Sequence, residues 1–227
     1  ELLPERRKTM PNSCKPYDSY LMIPQAKLAR ALARSKMKAI ILAAGQGIRL
    51  RPLTNRLPKC LVQINRKPIM QHQLESLDRV GIHSCVIVTG FREAQVRDYF
   101  GSKFANVDIT YVLNNSFQNT NNIYSLWVAK KYLLDDIILI EGDILFDYLL
   151  LEDIVHSPYP NVVLVDKFQP HMDGTVVLSK EGFVSSMVLK SRQSTDFDYK
   201  SAFKTVNVYS FSQVTMQEYL IPTLNTW

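Results

Sequence analysis

The chain has 227 residues, 46% of them apolar and 21% charged, enough to bury a core and unlike disordered, collagenous or fibrous proteins. Its longest apolar runs, near residues 39–44 and 137–140, fall far short of the roughly 20 residues that cross a bilayer, so no membrane association is expected. Three cysteines, Cys14, Cys60 and Cys85, form no CxxC pair, which argues against a disulfide scaffold or structural zinc and for a reduced, cytoplasmic setting.

The net charge of +6 is unevenly placed. Residues 1–38 hold nine Lys/Arg and three acids, whereas residues 39–227 hold eighteen of each. The body of the protein is therefore neutral. It has no basic run interleaved with aromatics and no zinc-finger or RNA-recognition signature, so nucleic acid is not an expected partner. Residues 1–36 read as a basic N-terminal extension or linker. Pro4, Pro11, Pro16 and Pro24 precede a basic stretch with Leu28, Ala29, Leu32 and Ala33 at helical spacing, the pattern of a loop followed by a short amphipathic helix. Glu1, Glu5 and the absence of an apolar segment do not suit a targeting peptide.

From Met37 onward, short apolar runs alternate with helical segments. Buried strands are predicted over 39–43, 85–89, 109–113, 137–141 and 162–165, with helices over 69–80, 94–100, 123–134 and 145–155. This alternation predicts an α/β fold, a Rossmann-like doubly wound and mostly parallel sheet. Ligands of such sheets sit at the carboxyl ends of the strands. Segments 175–178, 184–189 and 205–211 are strand-like without intervening helices, which predicts a smaller, antiparallel, strand-rich subregion over the same crevice.

The first predicted strand runs into Leu42-Ala43-Ala44-Gly45-Gln46-Gly47-Ile48-Arg49-Leu50-Arg51-Pro52-Leu53-Thr54, and Pro58-Lys59 follows. Glycines at this point let backbone N–H groups approach phosphate oxygens. Arg49 and Lys59 add positive charge for the same oxyanions. The loop is neither a dinucleotide fingerprint, which needs glycine at Leu50, nor a Walker A loop, which needs Gly-Lys-Ser/Thr where Leu50-Arg51-Pro52 stand.

This combination resembles the LAAGxGxRLxPLT…PKxL signature of the nucleotidyltransferases that make activated sugars and alcohols. Within that superfamily the chain is most similar to bacterial choline-phosphate and phosphonate cytidylyltransferases, through Asn121-Asn122-Ile123-Tyr124-Ser125-Leu126, Glu141-Gly142-Asp143 and Phe203-Lys204-Thr205-Val206-Asn207. The resemblance spans Met37 to the end. It implies that Leu42, Ala43, Ala44, Gly45, Gln46 and Gly47 wrap the nucleotide, that Arg49 holds the β and γ phosphates, and that Lys59 stabilises the reacting ones. Ile48 departs from the usual Thr or Ser and forfeits a phosphate contact.

Asp143 follows the fourth strand, where a carboxylate can hold Mg2+ or cap the next helix. The resemblance favours magnesium. A second metal aspartate, usual in the family, has no convincing match; Asp196 and Asp198 read better as an exposed loop, and the domain, residues 37–227, is expected to be truncated at its C-terminus. Glu141 is expected to point outward or to be structural. In the amide cluster from Asn114 to Asn122, only Asn122 is assigned to the acceptor, with Tyr124 beside it as a face for a quaternary ammonium. Thr89 and Gly90 offer a base-reading edge. Lys190 and Lys204 either neutralise an acceptor phosphate or are surface lysines.

The implied reaction moves CMP from CTP to a small phosphate or phosphonate acceptor, of phosphocholine or 2-aminoethylphosphonate type, with release of pyrophosphate. The alternatives are a sugar-1-phosphate nucleotidyltransferase using UTP or dTTP, and a non-catalytic nucleotide-sensing module. Fusion to, or association with, another enzyme domain is a further expectation. Because the net charge lies in residues 1–38 and the resemblance begins at Met37, deleting residues 1–36 is expected to preserve nucleotide binding. Loss of the CTP-induced rise in melting temperature on deletion would instead make the extension part of the domain.

Overall fold

The computed structural model describes residues 37–226; the loop and amphipathic helix expected in residues 1–36 lie outside the described residues. The apolar run after Met37 forms β1 (Lys38–Ala43). After the glycine loop come two short strands, β2 (Gln63–Ile64) and β3 (Lys67–Pro68), which make a small antiparallel hairpin of their own. Helix α1 (Ile69–Arg79) then leads to β4 (Ser84–Thr89), and α2 (Glu93–Phe100) leads through β5 (Lys103–Phe104) to β6 (Val107–Leu113). Helix α3 (Asn122–Val128) precedes β7 (Ile137–Glu141), and α4 (Tyr148–His156) precedes β8 (Val162–Lys167). The chain continues through β9 (Val176–Lys180), β10 (Phe183–Val188) and the long β11 (Ala202–Phe211).

β6, β4, β1 and β7 lie side by side and parallel in that order. The chain works outward from β1 on one side and returns to its other side as β7, so the strand order reverses at β1. That reversal is the switch point at which doubly wound sheets bind ligands. β11 pairs antiparallel with β7, and β8 and β9 both pair antiparallel with β11. The strand-rich subregion is thus a continuation of the main sheet, not a separate layer.

Alternation along the central strands buries opposite faces. Ala39, Ile41, Ile87 and Ile140 point to the layer that holds Leu74 and Leu77 of α1 and Leu151 of α4. Ile40, Val86, Val88 and Ile137 point to Leu126, Leu133, Met216 and Leu224 on the other side. The last two belong to an unforeseen helical segment, α5 (residues 213–225), capped by Ser212, whose Oγ accepts from Thr215 N at 3.3 Å, and containing a π-type turn.

Three predicted elements differ from the structure. β6 and β8 are not fully buried strands: β6 alternates buried and exposed residues, and β8, with no strand on its other side among the described residues, is half-buried to exposed. The helix expected over 123–134 breaks after Val128. A tight turn over Lys130–Tyr132 replaces it, so that the chain can bury Leu133 and enter β7 at Ile137.

Candidate active site

A cleft of about 390 Å3 opens at the carboxyl ends of β1 and β7. Leu42, Ala43, Gly45, Gln46, Gly47, Arg49 and Lys59 line it from the first loop, Asn122 from the start of α3, and Asp143 from the loop after β7. Nine of the residues assigned from the sequence are therefore brought together by the β1–β7 pairing. Ala44 lies beneath them, buried, with its carbonyl accepting from Phe91 N at 3.0 Å.

The first loop is shaped by two local constraints. Gly47 has φ 64°, and a Cβ there would stand 2.9 Å from Cβ of Lys59. Glycine is thus required both by the left-handed backbone and by the passage of the Lys59 side chain. The buried Thr54 hydroxyl donates to the Gly47 carbonyl at 2.7 Å and closes the turn. The ammonium of Lys59 reaches across the cleft and forms an ion pair with Asp143 Oδ2. Both side chains keep about a quarter of their exposure, 23% and 28%.

Asp143 does not cap the next helix. That cap is Asp147, whose Oδ1 accepts from Leu149 N at 3.0 Å. Asp143 is left to face the cleft. Its loop is held from below by Gln73, buried on α1, whose Nε2 donates to the carbonyls of Glu141 at 2.9 Å and Ile144 at 2.8 Å. The Gln73 Oε1 has no partner among the described residues, a cost accepted where the amide brackets Gly142 and Asp143.

Glu141 does not point away from the site. It lines the cleft, with Oε1 accepting from Asn122 Nδ2 at 2.8 Å and Oε2 from Asn207 Nδ2 at 3.1 Å. Burial, followed by the charge of Asp143, raises its pKa above the usual glutamate value against the opposing effects of the two amides and of the Lys59 charge. Asn207 was not assigned from the sequence. It sits at an irregularity of β11 with φ 60°, and its Oδ1 accepts from Thr205 Oγ1 at 3.0 Å and Tyr209 OH at 3.3 Å.

Besides Ala44, five assigned residues do not line this cleft. The Thr89 hydroxyl is fully buried and donates to Val112 O at 3.4 Å. Gly90 is packed so closely that a Cβ would stand 2.7 Å from the Ala44 carbonyl and 2.8 Å from Phe117, which is a packing role. Tyr124 stacks on Trp127 with ring centroids 5.4 Å apart. Lys190 is a surface lysine paired with Asp173 at 3.0 Å, and Lys204 reaches the Thr205 carbonyl at 3.4 Å. Of the other amides, Asn114 is buried among Ser116, Thr120 and Ser125 and Asn121 caps α3, whereas Gln118 lines the cleft. Asp196 and Asp198 lie exposed on a loop, each bonded to a near neighbour in sequence.

The model of the nucleotidyl transferase family matches residues 38–212. The chain belongs to this family. It is 34% identical over 189 residues to the CMP-5'-(3-aminopropyl)phosphonate synthase of Streptomyces rubellomurinus, covering 83% of this chain and 30% of that protein. It is 38% identical over 130 residues to the choline-phosphate cytidylyltransferase of Streptococcus pneumoniae, covering 57% of this chain and 55% of the relative. The chain thus spans about a third to a half of the curated relatives it matches. Its fold superposes on the inositol-1-phosphate CTP transferase of T. maritima with a TM-score of 0.62, at 23% identity over 82% of this chain and 74% of that one. Among the described residues no helix is long and apolar enough to cross a membrane.

In this member of the nucleotidyl transferase family, Gly47 carries the geometry of the first loop. Gly47→Ala is expected to lower stability by about 1–2 kcal/mol, the cost of a left-handed non-glycine residue, and to displace Lys59. Urea unfolding measures the first effect; an unchanged midpoint would show that the loop adapts without strain.

Proposed function

We propose that the protein transfers CMP from CTP to a small phosphate or phosphonate acceptor and releases pyrophosphate. The observation that carries this reading is the meeting of Lys59 and Asp143 across a cleft floored by the glycine loop, at the switch point of the sheet. Such an arrangement offers backbone donors and fixed positive charge to a polyphosphate and a carboxylate to its metal. The choice of CTP is supported by relatives named for CMP transfer to an aminopropylphosphonate and for choline-phosphate cytidylylation.

Asp143 fits Mg2+. It is a partly exposed carboxylate in the cleft, free of any helix-capping duty. No group of three or more His, Cys, Asp or Glu suited to a metal occurs among the described residues. Mg2+ is commonly held by one or two carboxylates together with substrate phosphates. When bound there, it would neutralise charge on the phosphate oxygens.

The protein's own part is positioning and charge. An acceptor oxygen, already anionic, attacks the α-phosphorus of CTP; the bond from that phosphorus to the bridging oxygen of the β-phosphate breaks, and pyrophosphate leaves. No general base is required. Lys59 lies beside the reacting phosphates, Arg49 at the exposed rim meets the outer ones, and the amides of residues 45–47 approach without side chains in the way.

Asp143→Asn is expected to abolish turnover while leaving the fold and most CTP binding intact, because it removes a metal ligand at nearly constant size. Near wild-type turnover would remove Asp143 from the site. Lys59→Ala is expected to lower kcat by about 10²-fold, as for loss of one preorganised charge. A change confined to KM would mean that Lys59 holds ground and transition states equally. The reading as a whole is tested by pyrophosphate release with CTP, UTP, dTTP and GTP in turn. CTP is expected to be preferred. Preference for UTP or dTTP with glucose-1-phosphate would make the protein a sugar nucleotidyltransferase, and nucleotide binding without release would make it a sensor.

A further inference from the structure

Glu141 places a negative charge in a cleft otherwise suited to polyanions. Its two oxygens are each held by an amide, from Asn122 on α3 and from Asn207 on β11. Asn207 is in turn oriented by the hydroxyls of Thr205 and Tyr209. Two elements, α3 and β11, therefore fix the direction of this carboxylate, yet neither pairs it with a cation. Among the described residues no Lys, Arg or His lies within ion-pair distance of Glu141, whereas Asp143 beside it is paired with Lys59.

A glutamine would bridge α3 and β11 without bringing charge into the cleft. Lys59 acts on Glu141 only from beyond ion-pair distance and is itself paired with Asp143. A half-buried carboxylate without a direct cationic partner is costly, and the cost is offset when a bound ligand supplies the cation. The cation's chemistry follows from the surroundings. A carboxylate with open lone pairs suits N–H donors. A quaternary ammonium, which has none, is held by aromatic faces. Tyr124 is stacked on Trp127, and the Trp127 ring takes Lys130 at 4.7 Å. The aromatic residue that does line the cleft is Phe117 alone, which is no cage.

We infer that Glu141 is the receptor for a primary ammonium group on the acceptor, so that the acceptor is an aminoalkyl phosphonate or phosphate and not a choline ester. This rests on the proposed transfer of CMP. The anionic end of such an acceptor lies toward the nucleotide and its amine toward Glu141, with Asn122 and Asn207 holding the carboxylate.

The test compares wild type and Glu141→Gln in pyrophosphate release with CTP and three acceptors: 2-aminoethylphosphonate, 2-hydroxyethylphosphonate and phosphocholine. Wild type is expected to prefer the amine over both others. Glu141→Gln is expected to lose roughly tenfold or more of the preference for amine over hydroxyl, the scale of one charge-assisted hydrogen bond. The change should fall on the acceptor KM and not on the KM for CTP. Glu141→Asp, which keeps the charge, should retain the preference for the amine and guards against a variant that merely folds poorly. Equal losses on amine and hydroxyl in both variants would make Glu141 structural. A raised KM for CTP would assign it to the ribose or to a metal, and a wild-type preference for phosphocholine would overturn the primary-amine assignment. If wild type transfers CMP to these acceptors without dependence on Glu141, only the receptor is overturned. If it transfers none, the proposed reaction falls first.

Discussion

The parallel pairing of β1 with β7 is the constraint on which the site depends. Its register sets Leu42 against Glu141, and the Gly142 N–H donates to the Leu42 carbonyl at 2.8 Å, so the pairing runs to the edge of the cleft. A slip by one residue would turn Ile40 and Ile41, and Ile138 and Ile140, to the wrong faces of a sheet buried on both sides, which specifies the register strongly. With that register fixed, the loop carrying Gly47 and Lys59 and the loop carrying Asp143 must leave the sheet side by side. Neither loop makes a site alone.

The charges arranged on this frame are not there chiefly for stability. An ion pair such as Lys59–Asp143, about a quarter exposed on each side, contributes only about 0–1 kcal/mol when solvent screens it. Gln73 points the same way, since it leaves an acceptor unpaired in the core while bracketing Asp143. Buried polar groups held at such cost are economical only where they fix something. Here they fix carbonyls on either side of the carboxylate proposed to hold the metal, and the amides of Asn122 and Asn207 fix the one next to it.

What could be read from the sequence was what is local. Short apolar runs marked the strands; the glycine loop and Asp143 each had a recognisable setting beside a predicted strand end, and Lys59 had one in the Pro58-Lys59 pair. The strand-rich tail was legible too, although not its continuity with the main sheet. Partners distant in sequence were hidden. Glu141 reads from the sequence as outward-pointing or structural because its partners Asn122 and Asn207 lie 19 and 66 residues away, and Asn207 acquires its orientation from a strand irregularity that no periodicity announces. The helix predicted over 123–134 holds both Tyr124 and Trp127, but only the fold reveals that they stack on each other. Thr89 and Gly90 end a strand at the expected edge, yet packing against Ala44 and Phe117 closes that edge off. The helical segment after Ser212 escaped because its short polar and apolar stretches carry little helical signal without the sheet face they cover.

In the proposed reaction this cleft directs attack to the α-phosphorus of CTP. That direction is tested most directly by following a mixture of the protein, Mg2+, CTP and 2-aminoethylphosphonate by phosphorus NMR. Attack at that atom moves the α-phosphorus resonance into an anhydride coupled to the phosphonate, with pyrophosphate appearing in equal amount. Formation of CDP and a phosphorylated acceptor would mean that the γ-phosphorus is attacked, and would contradict the proposed reaction.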